Sequence, residues 1–271
     1  MENEHFIAYS GKGEALPRYD EEVLMTQIRV WAHWLDKELQ ISPSHVKEDR
    51  LEHLSLRIRL YQERFGAGKP DLEWAKGIEE MYRRALHMRD GFSYDWRERE
   101  ALNIPEDEFD KLLTTRRSIR NFTGEDVPDD LIRKLLIYGN WAPTNCNQQS
   151  LRYIVVKSRE IKDRLTLGGL SGSMSPCLVV VIADMRFYSD GDIECPVHDS
   201  AAAIQNMLLA SHYYGLGACY TSSLITNSPQ NRRMLGVEDY EKITAAILLG
   251  HYMRAPPAPA RRRIDEIIRH V

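Results

Sequence analysis

Apolar residues recur at helical spacing from about Asp20, where Leu24, Ile28, Trp31 and Leu35 predict one face of a helix. Ile41-Ser42-Pro43-Ser44 breaks that pattern, which resumes with Leu51, Leu54, Ile58, Tyr61 and Phe65 on a single side. Gly66 and Gly68 then read as stop signals. A third helix is predicted after Pro70-Asp71, with Trp74, Ile78, Met81, Tyr82 and Ala85 inward. Residues 1–20 are polar and contain Gly11, Gly13 and Pro17, which predicts a flexible or surface-lying arm. Three amphipathic helices can bury a small core together or lie against the rest of the chain. Trp31, Trp34 and Trp74 suit that core better than an aromatic ligand pocket. His33, His45, His53 and His87 form no metal-ligand pattern.

A polar connector, residues 90–100, leads to a new regime from residue 106. Pro105-Glu106-Asp107-Glu108 opens a helix that delivers the chain to Arg116, its acidic first turn suiting the helix dipole. Asp126-Val127-Pro128-Asp129-Asp130 opens another, with Leu131, Leu135 and Ile137 as its apolar side, ending before Pro143. Tyr153-Ile154-Val155-Val156 and the run 178–183 read as strands, and so does 243–249. Between them, Asp199 begins a long helix closed by Gly215-Leu216-Gly217. Cys219 to Ser223 reads as extended chain, and Arg232 to Leu235 as a short helix. Strands mixed with long helices predict an α+β or α/β sandwich over 106–271, behind a helical extension over 1–105.

The 271 residues suffice for one large domain, or for a core domain with an appendage. A net charge of −4 argues against nucleic acid as the main partner, so the arginines near residue 116 are a local concentration. No apolar run is long enough to span a bilayer, and the N-terminus lacks the pattern of a signal peptide. Cys146, Cys177, Cys195 and Cys219 are widely spaced, which predicts reduced thiols and a cytoplasmic location.

Two stretches hold candidate chemistry. Arg116-Arg117-Ser118-Ile119-Arg120-Asn121-Phe122 sets three guanidiniums and a hydroxyl within five residues. Arginine binds phosphate oxygens in a bidentate way, so this stretch suits a phosphate; a solvated basic turn paired to Glu125 or Asp126 is the other reading. Arg261-Arg262-Arg263 poses the same choice near the far end of the chain. Asn145, Asn147, Gln148 and Gln149 follow Pro143, and amides offer donor and acceptor together, as a pyrimidine edge requires. A capped turn is their alternative. Cys146 has no His–acid partner at a recognisable distance and reads as a bystander thiol. Gly168-Gly169-Leu170-Ser171-Gly172 lacks the Gly-Lys-Ser/Thr ending of a phosphate loop and reads as a mobile loop.

In order, these pieces resemble the FMN-dependent nitroreductase family over roughly residues 106–271. The resemblance rests on Arg-Arg-Ser-Ile-Arg-Asn-Phe at 116–122 and on Ala142-Pro143-Thr144-x-x-Asn147-x-Gln149. It continues with the helix from Asp199 to Tyr214-Gly215-Leu216-Gly217, then Leu249-Gly250-His251-Tyr252 before a Pro-rich, Arg-bearing tail. It implies an α/β/α sandwich with a central, mostly antiparallel sheet, in an intertwined homodimer with FMN at the subunit interface. By resemblance, Arg116, Arg117 and Ser118 hold the phosphate and ribityl end, and Arg120 approaches the flavin pyrimidine as an electrostatic stabiliser. Asn147, with Gln149 beside it, meets the ring edge. Ser222 and Ser223 fall where the family offers main-chain contacts near the reactive flavin nitrogen. Arg261, and Arg263 as second choice, return from the tail to the phosphate.

No side chain need be an acid or base, since the cofactor carries the hydride chemistry. The implied reaction is ping-pong: NADH or NADPH as donor, then an electron-poor small molecule as acceptor. A specialised flavin-dependent dehydrogenase of a biosynthetic intermediate is one alternative. A non-catalytic flavin-binding or adaptor protein, acting through the N-terminal helices, is another. Ser150-Leu151 stand where family members often have Pro-Trp, and the helical extension lies outside the minimal family pattern.

Overall fold

The computed structural model describes residues 16–98, 100–165, 172–188, 194–221 and 227–271. The predicted helical hairpins form α1 (Glu21–Ile41), α2 (Glu48–Phe65) and α3 (Pro70–Met88). Asp20 caps α1 by accepting from the Val23 amide, and the chain breaks at Ser42-Pro43 as its sequence predicts. Leu24, Ile28, Leu35, Leu54, Leu72 and Tyr82 are fully buried in one core confined to residues 16–94. Leu16 is fully buried there too, so the end of the supposed arm belongs to the bundle. Trp31 and Trp74 pack against that core, and Trp31 stacks on His53. Arg57 is buried among them, over the Trp31 ring, held by Gln27 Oε1 and the His53 carbonyl at 2.9 Å. Burial pulls its guanidinium down to about 10.

The second half builds a four-stranded sheet from β1 (Leu151–Val156), β2 (Cys177–Asp184), β3 (Gly217–Thr221) and β4 (Glu241–Gly250). Its order is β1-β2-β4-β3, and every pairing is antiparallel. The period of two along β2 sends Val179 and Val181 to one face and Leu178, Val180 and Ile182 to the other. All of β2 is buried, because both faces are covered. α5 (Asp129–Asn140) and α7 (Cys195–Tyr213) cover one face through Ile132, Leu135, Ile204 and Met207. α6 (Arg159–Arg164) and the region of α8 (Pro229–Leu235) cover the other. α4 (Glu106–Thr115) lies outside this sandwich and ends at Arg116. This is the α/β/α sandwich behind a helical region.

Several details depart from the sequence reading. α7 starts at Cys195, since Pro196 suits the first turn of a helix, four residues before Asp199. Ile132, not Ile137, shares the buried side of α5 with Leu135, and Ile137 is exposed. α6 has no signature in the sequence, because six residues are too few to show a period. Most of the glycine loop at 168–172 lies outside the described residues.

The bundle docks on the β1 edge. Arg152, on β1, pairs with Glu22 of α1 as well as with Asp184 and Glu241. Arg186 binds Asp20 at 2.7 Å and Asp184 at 2.6 Å, and lies over the Tyr240 ring.

Candidate cofactor site

Residues 116–122 run beside β3. The Ile119 amide donates to the Ala218 carbonyl at 3.0 Å, and Ser118 forms a parallel bridge with Ala218. The Thr123 amide then donates to the His251 carbonyl at 2.9 Å, tying the segment to the end of β4. Gly217 permits this approach: a Cβ there would stand 2.8 Å from Ile119 Cβ and 2.9 Å from the Tyr252 ring. Ile119 is buried, which turns its neighbours Ser118 and Arg120 outward.

Ser118, Ile119, Arg120 and Asn121 line a cleft of about 370 Å³ with Arg254, Ala255 and Pro256. Arg254 escaped the sequence reading; its signal is a lone cation four residues after Gly250. Arg120 and Arg116 also sit near the buried Cys219, whose thiol burial pushes up against their opposing pull. Arg117 turns back, donating to the Thr114 and Arg116 carbonyls at 2.7 and 2.8 Å, where it caps the end of α4. Among the described residues no carboxylate forms an ion pair with Arg116, Arg117 or Arg120. Asp126, the alternative partner, is bound to Lys157 at 3.0 Å. Burial, then the charges of Arg116 and Arg117, hold His212 below its ordinary value. Thr115 Oγ1 lies 2.8 Å from His212 Nε2.

The amide loop is built differently. Cys146, Asn147 and Gln149 all adopt left-handed backbone, at φ 46°, 53° and 55°. Such strain persists only where surroundings enforce it. The Asn145 amide donates to Asp199 Oδ1 at 2.9 Å, Tyr188 donates to Asp199 Oδ2 at 2.8 Å, and Ser150 bonds to Tyr188. Burial raises the Asp199 carboxyl despite these bonds. Gln148 is fully buried and donates to the Phe187 carbonyl at 2.7 Å, so it supports the loop from below. Ser150 is buried in the same network, and Leu151 is the first residue of β1.

One chain does not bring the two motifs together. The arginine segment flanks β3, whereas the amide loop enters β1 at the opposite edge of the sheet. Four strand spacings separate them, roughly 19 Å. α7 measures the same gap along the other direction: the loop touches Asp199 and Thr115 touches His212, 13 residues or about 20 Å of helix apart. Arg261 and Arg263 stand exposed on the tail, and Arg261 donates to the neighbouring Ala260 carbonyl. Among the described residues no hydrogen bond or ion pair joins either of them to residues 116–122. Ser222 and Ser223 lie outside the described residues. Among the described residues no cluster of His, Cys, Asp or Glu could hold a metal ion. No described helix is long and apolar enough to cross a membrane.

The sequence model of the Nitroreductase family matches residues 113–167 and 174–251. A provisionally named NADH dehydrogenase/NAD(P)H nitroreductase of Archaeoglobus fulgidus is 30% identical over 146 residues, 52% of this chain and 83% of that protein. A like-named protein of Methanothermobacter thermautotrophicus is 30% identical over 151 residues, covering 54% of this chain and 78% of that one. Among solved structures, a provisionally named nitroreductase of Desulfovibrio desulfuricans in complex with FMN is 28% identical, with a TM-score of 0.54. That match covers 59% of this chain and 95% of the other. The matched span contains the arginine segment, the amide loop and the whole sheet, and this chain belongs to the Nitroreductase family.

Proposed function

We propose that this member of the Nitroreductase family, an FMN-dependent oxidoreductase, takes electrons from NADH or NADPH and passes them in pairs to an electron-poor small molecule. The observation that carries the reading is the row of guanidiniums along β3 with no carboxylate partner among the described residues. Left alone, like charges this close repel one another, and an anionic ligand relieves that cost. Arg116 and Ser118 hold the phosphate and ribityl end of the cofactor, with Arg117 fixing the end of α4 from which they start. Arg120 is the fixed cation for negative charge developing on the pyrimidine side, and it needs no reorganisation to act. Asn147 and Gln149 read the ring edge. Ser222 and Ser223 are assigned to main-chain contacts with it, and Arg261 or Arg263 to the phosphate, by family resemblance alone. FMN, when bound, supplies the hydride chemistry.

The separation of the two motifs favours a homodimer in which a second copy, packed antiparallel along α7, brings its amide loop to the arginine segment of the first. Two features support this. Trp141 and Tyr213 are 82% and 74% exposed and border an apolar groove formed by Leu112, Tyr138, Leu209 and Ala210. Ile264, Ile267 and Ile268 are 61%, 55% and 51% exposed on the tail of the chain. Patches of this kind mark interfaces. The division at residue 105, into a helical extension and a flavin domain, belongs to the same proposal.

Purified protein should be yellow, release FMN on denaturation and sediment as a dimer. Anaerobic mixing with NADH or NADPH should bleach the flavin band. A colourless protein that added FMN cannot restore sinks the reading. A yellow protein that neither nicotinamide bleaches favours the specialised dehydrogenase.

A further inference from the structure

Gln149 does not choose its own orientation. Its Nε2 carries two hydrogens; one points to Asn147 Oδ1 at 3.1 Å and the other to Asp71 Oδ1 at 3.4 Å. Asp71 belongs to the first turn of α3, in the helical bundle outside the family match. Its Oδ1 also accepts from Arg29 Nε at 3.0 Å. Burial raises the Asp71 carboxyl, but the hydrogen bond and charge of Arg29 outweigh it and hold the group below its ordinary value. Asp71 is therefore ionised at neutral pH and can only accept.

A carboxylate beside a primary amide decides which end of the amide faces it. The nitrogen of Gln149 must turn to Asp71, and its second hydrogen then occupies the oxygen of Asn147. Among the described residues Asn147 Nδ2 and Gln149 Oε1 keep no partner. What remains open is one donor and one acceptor on neighbouring side chains, the complement of adjacent C=O and N–H groups on a pyrimidine edge.

We propose that Asp71 is a positioning residue of the flavin site: from the helical bundle it fixes Gln149, and through it Asn147, so that the loop presents a set donor–acceptor pair to the cofactor. This rests on the FMN reading above. It assigns the N-terminal bundle a role in the site besides enlarging the molecule. Arg29 keeps Asp71 ionised and in place.

The test uses the full chain, freed of flavin and titrated with FMN, with affinity and the visible absorbance spectrum as readouts. Asp71→Asn nearly preserves shape but loses the charge, so Gln149 meets at best a neutral acceptor and its orientation is no longer enforced. Its FMN affinity should fall about tenfold, as for one lost hydrogen bond to a charged group, and the flavin bands should move. Asp71→Glu should recover both. Glu22→Gln loosens the same seam at Arg152 without touching the amides, and should keep wild-type affinity and spectrum. Adding Asp71→Asn to Gln149→Leu should cost nothing beyond Gln149→Leu alone.

Wild-type affinity and spectrum in Asp71→Asn overturn the proposal. So does an equal loss in Glu22→Gln, which would place the effect in bundle docking. Where Asp71→Asn does not fold, Gln149→Glu sets two carboxylates face to face, and wild-type affinity in it overturns the proposal equally. If the wild-type chain itself takes up no FMN, the flavin reading fails first, and the proposal with it.

Discussion

The helical bundle and the arginine edge of the sheet treat charge in opposite ways. In the bundle, Glu21 meets Lys69, Glu38 meets Arg50, Glu79 meets Arg83 and Arg29 meets Asp71. Along β3, half-buried Arg116 and exposed Arg120 have no carboxylate partner among the described residues, and the amide loop holds three left-handed residues. The bundle meets its charges within itself or, through Asp20, Glu22 and Asp71, at the seam with Arg186, Arg152 and Gln149. Among the described residues Arg116 and Arg120 keep no acid, as the proposed completion by a ligand and a second copy requires.

That contrast can be broken most forcefully inside the bundle. Leu24 is fully buried, so Leu24→Ala should cost about 2–5 kcal/mol of stability in denaturant unfolding. The fraction still folded should hold FMN as the wild type does; a loss of flavin affinity as large as the loss of stability would mean that the bundle's apolar core, and not Asp71 at its seam alone, acts on the site. Arg116→Ala should behave inversely. Losing a charged hydrogen bond to phosphate, worth about 1.5–3 kcal/mol, should weaken FMN retention tenfold or more while unfolding stays near wild type. Arg120→Ala should slow reduction by NADH or NADPH more than it weakens FMN retention, and the reverse ranking would exchange the two roles.

Gly217→Ala tests the scaffold beneath the arginines. Its Cβ would lie 2.8 Å from Ile119, so the segment must shift, at about 1–3 kcal/mol. Stability and FMN affinity should fall together here, unlike in the three previous variants. The smallest effect concerns pH. His212 has its folded value held below 6.5 by burial and by Arg116 and Arg117. The unfolded chain therefore binds the proton more readily, and stability should decline as pH falls from 6.5 through the folded value. His212→Gln should flatten that part of the profile; an unchanged slope would place the titration elsewhere.

Much of this was legible along the chain. The bundle could be read because its core faces recur at helical spacing, as Leu24, Ile28 and Leu35 do, and its ends carry Asp20, Pro43 and Pro70. The strands could be read from β-branched runs such as 178–183. The arginine segment and the amide loop stood out because their side chains match the chemistry of a phosphate and a heterocycle. Illegible were Arg254, Asp199, Tyr188 and Asp71, each ordinary in its local sequence and important only for what it touches across the fold. Asp71 looked like a helix start signal, which it also is.

By itself, then, the sequence determined the long helices, the strands and the two chemical motifs, since these follow from spacing and side-chain type within a few residues. Only the tertiary structure decided that residues 116–122 lie along β3 while the amide loop stands across the sheet at β1. Strand order sets that separation, and order depends on long-range pairing that no local pattern encodes. The same is true of the carboxylate of Asp71 against the amide of Gln149, 78 residues later. That hydrogen bond exists because two cores, each predictable alone, meet at one edge.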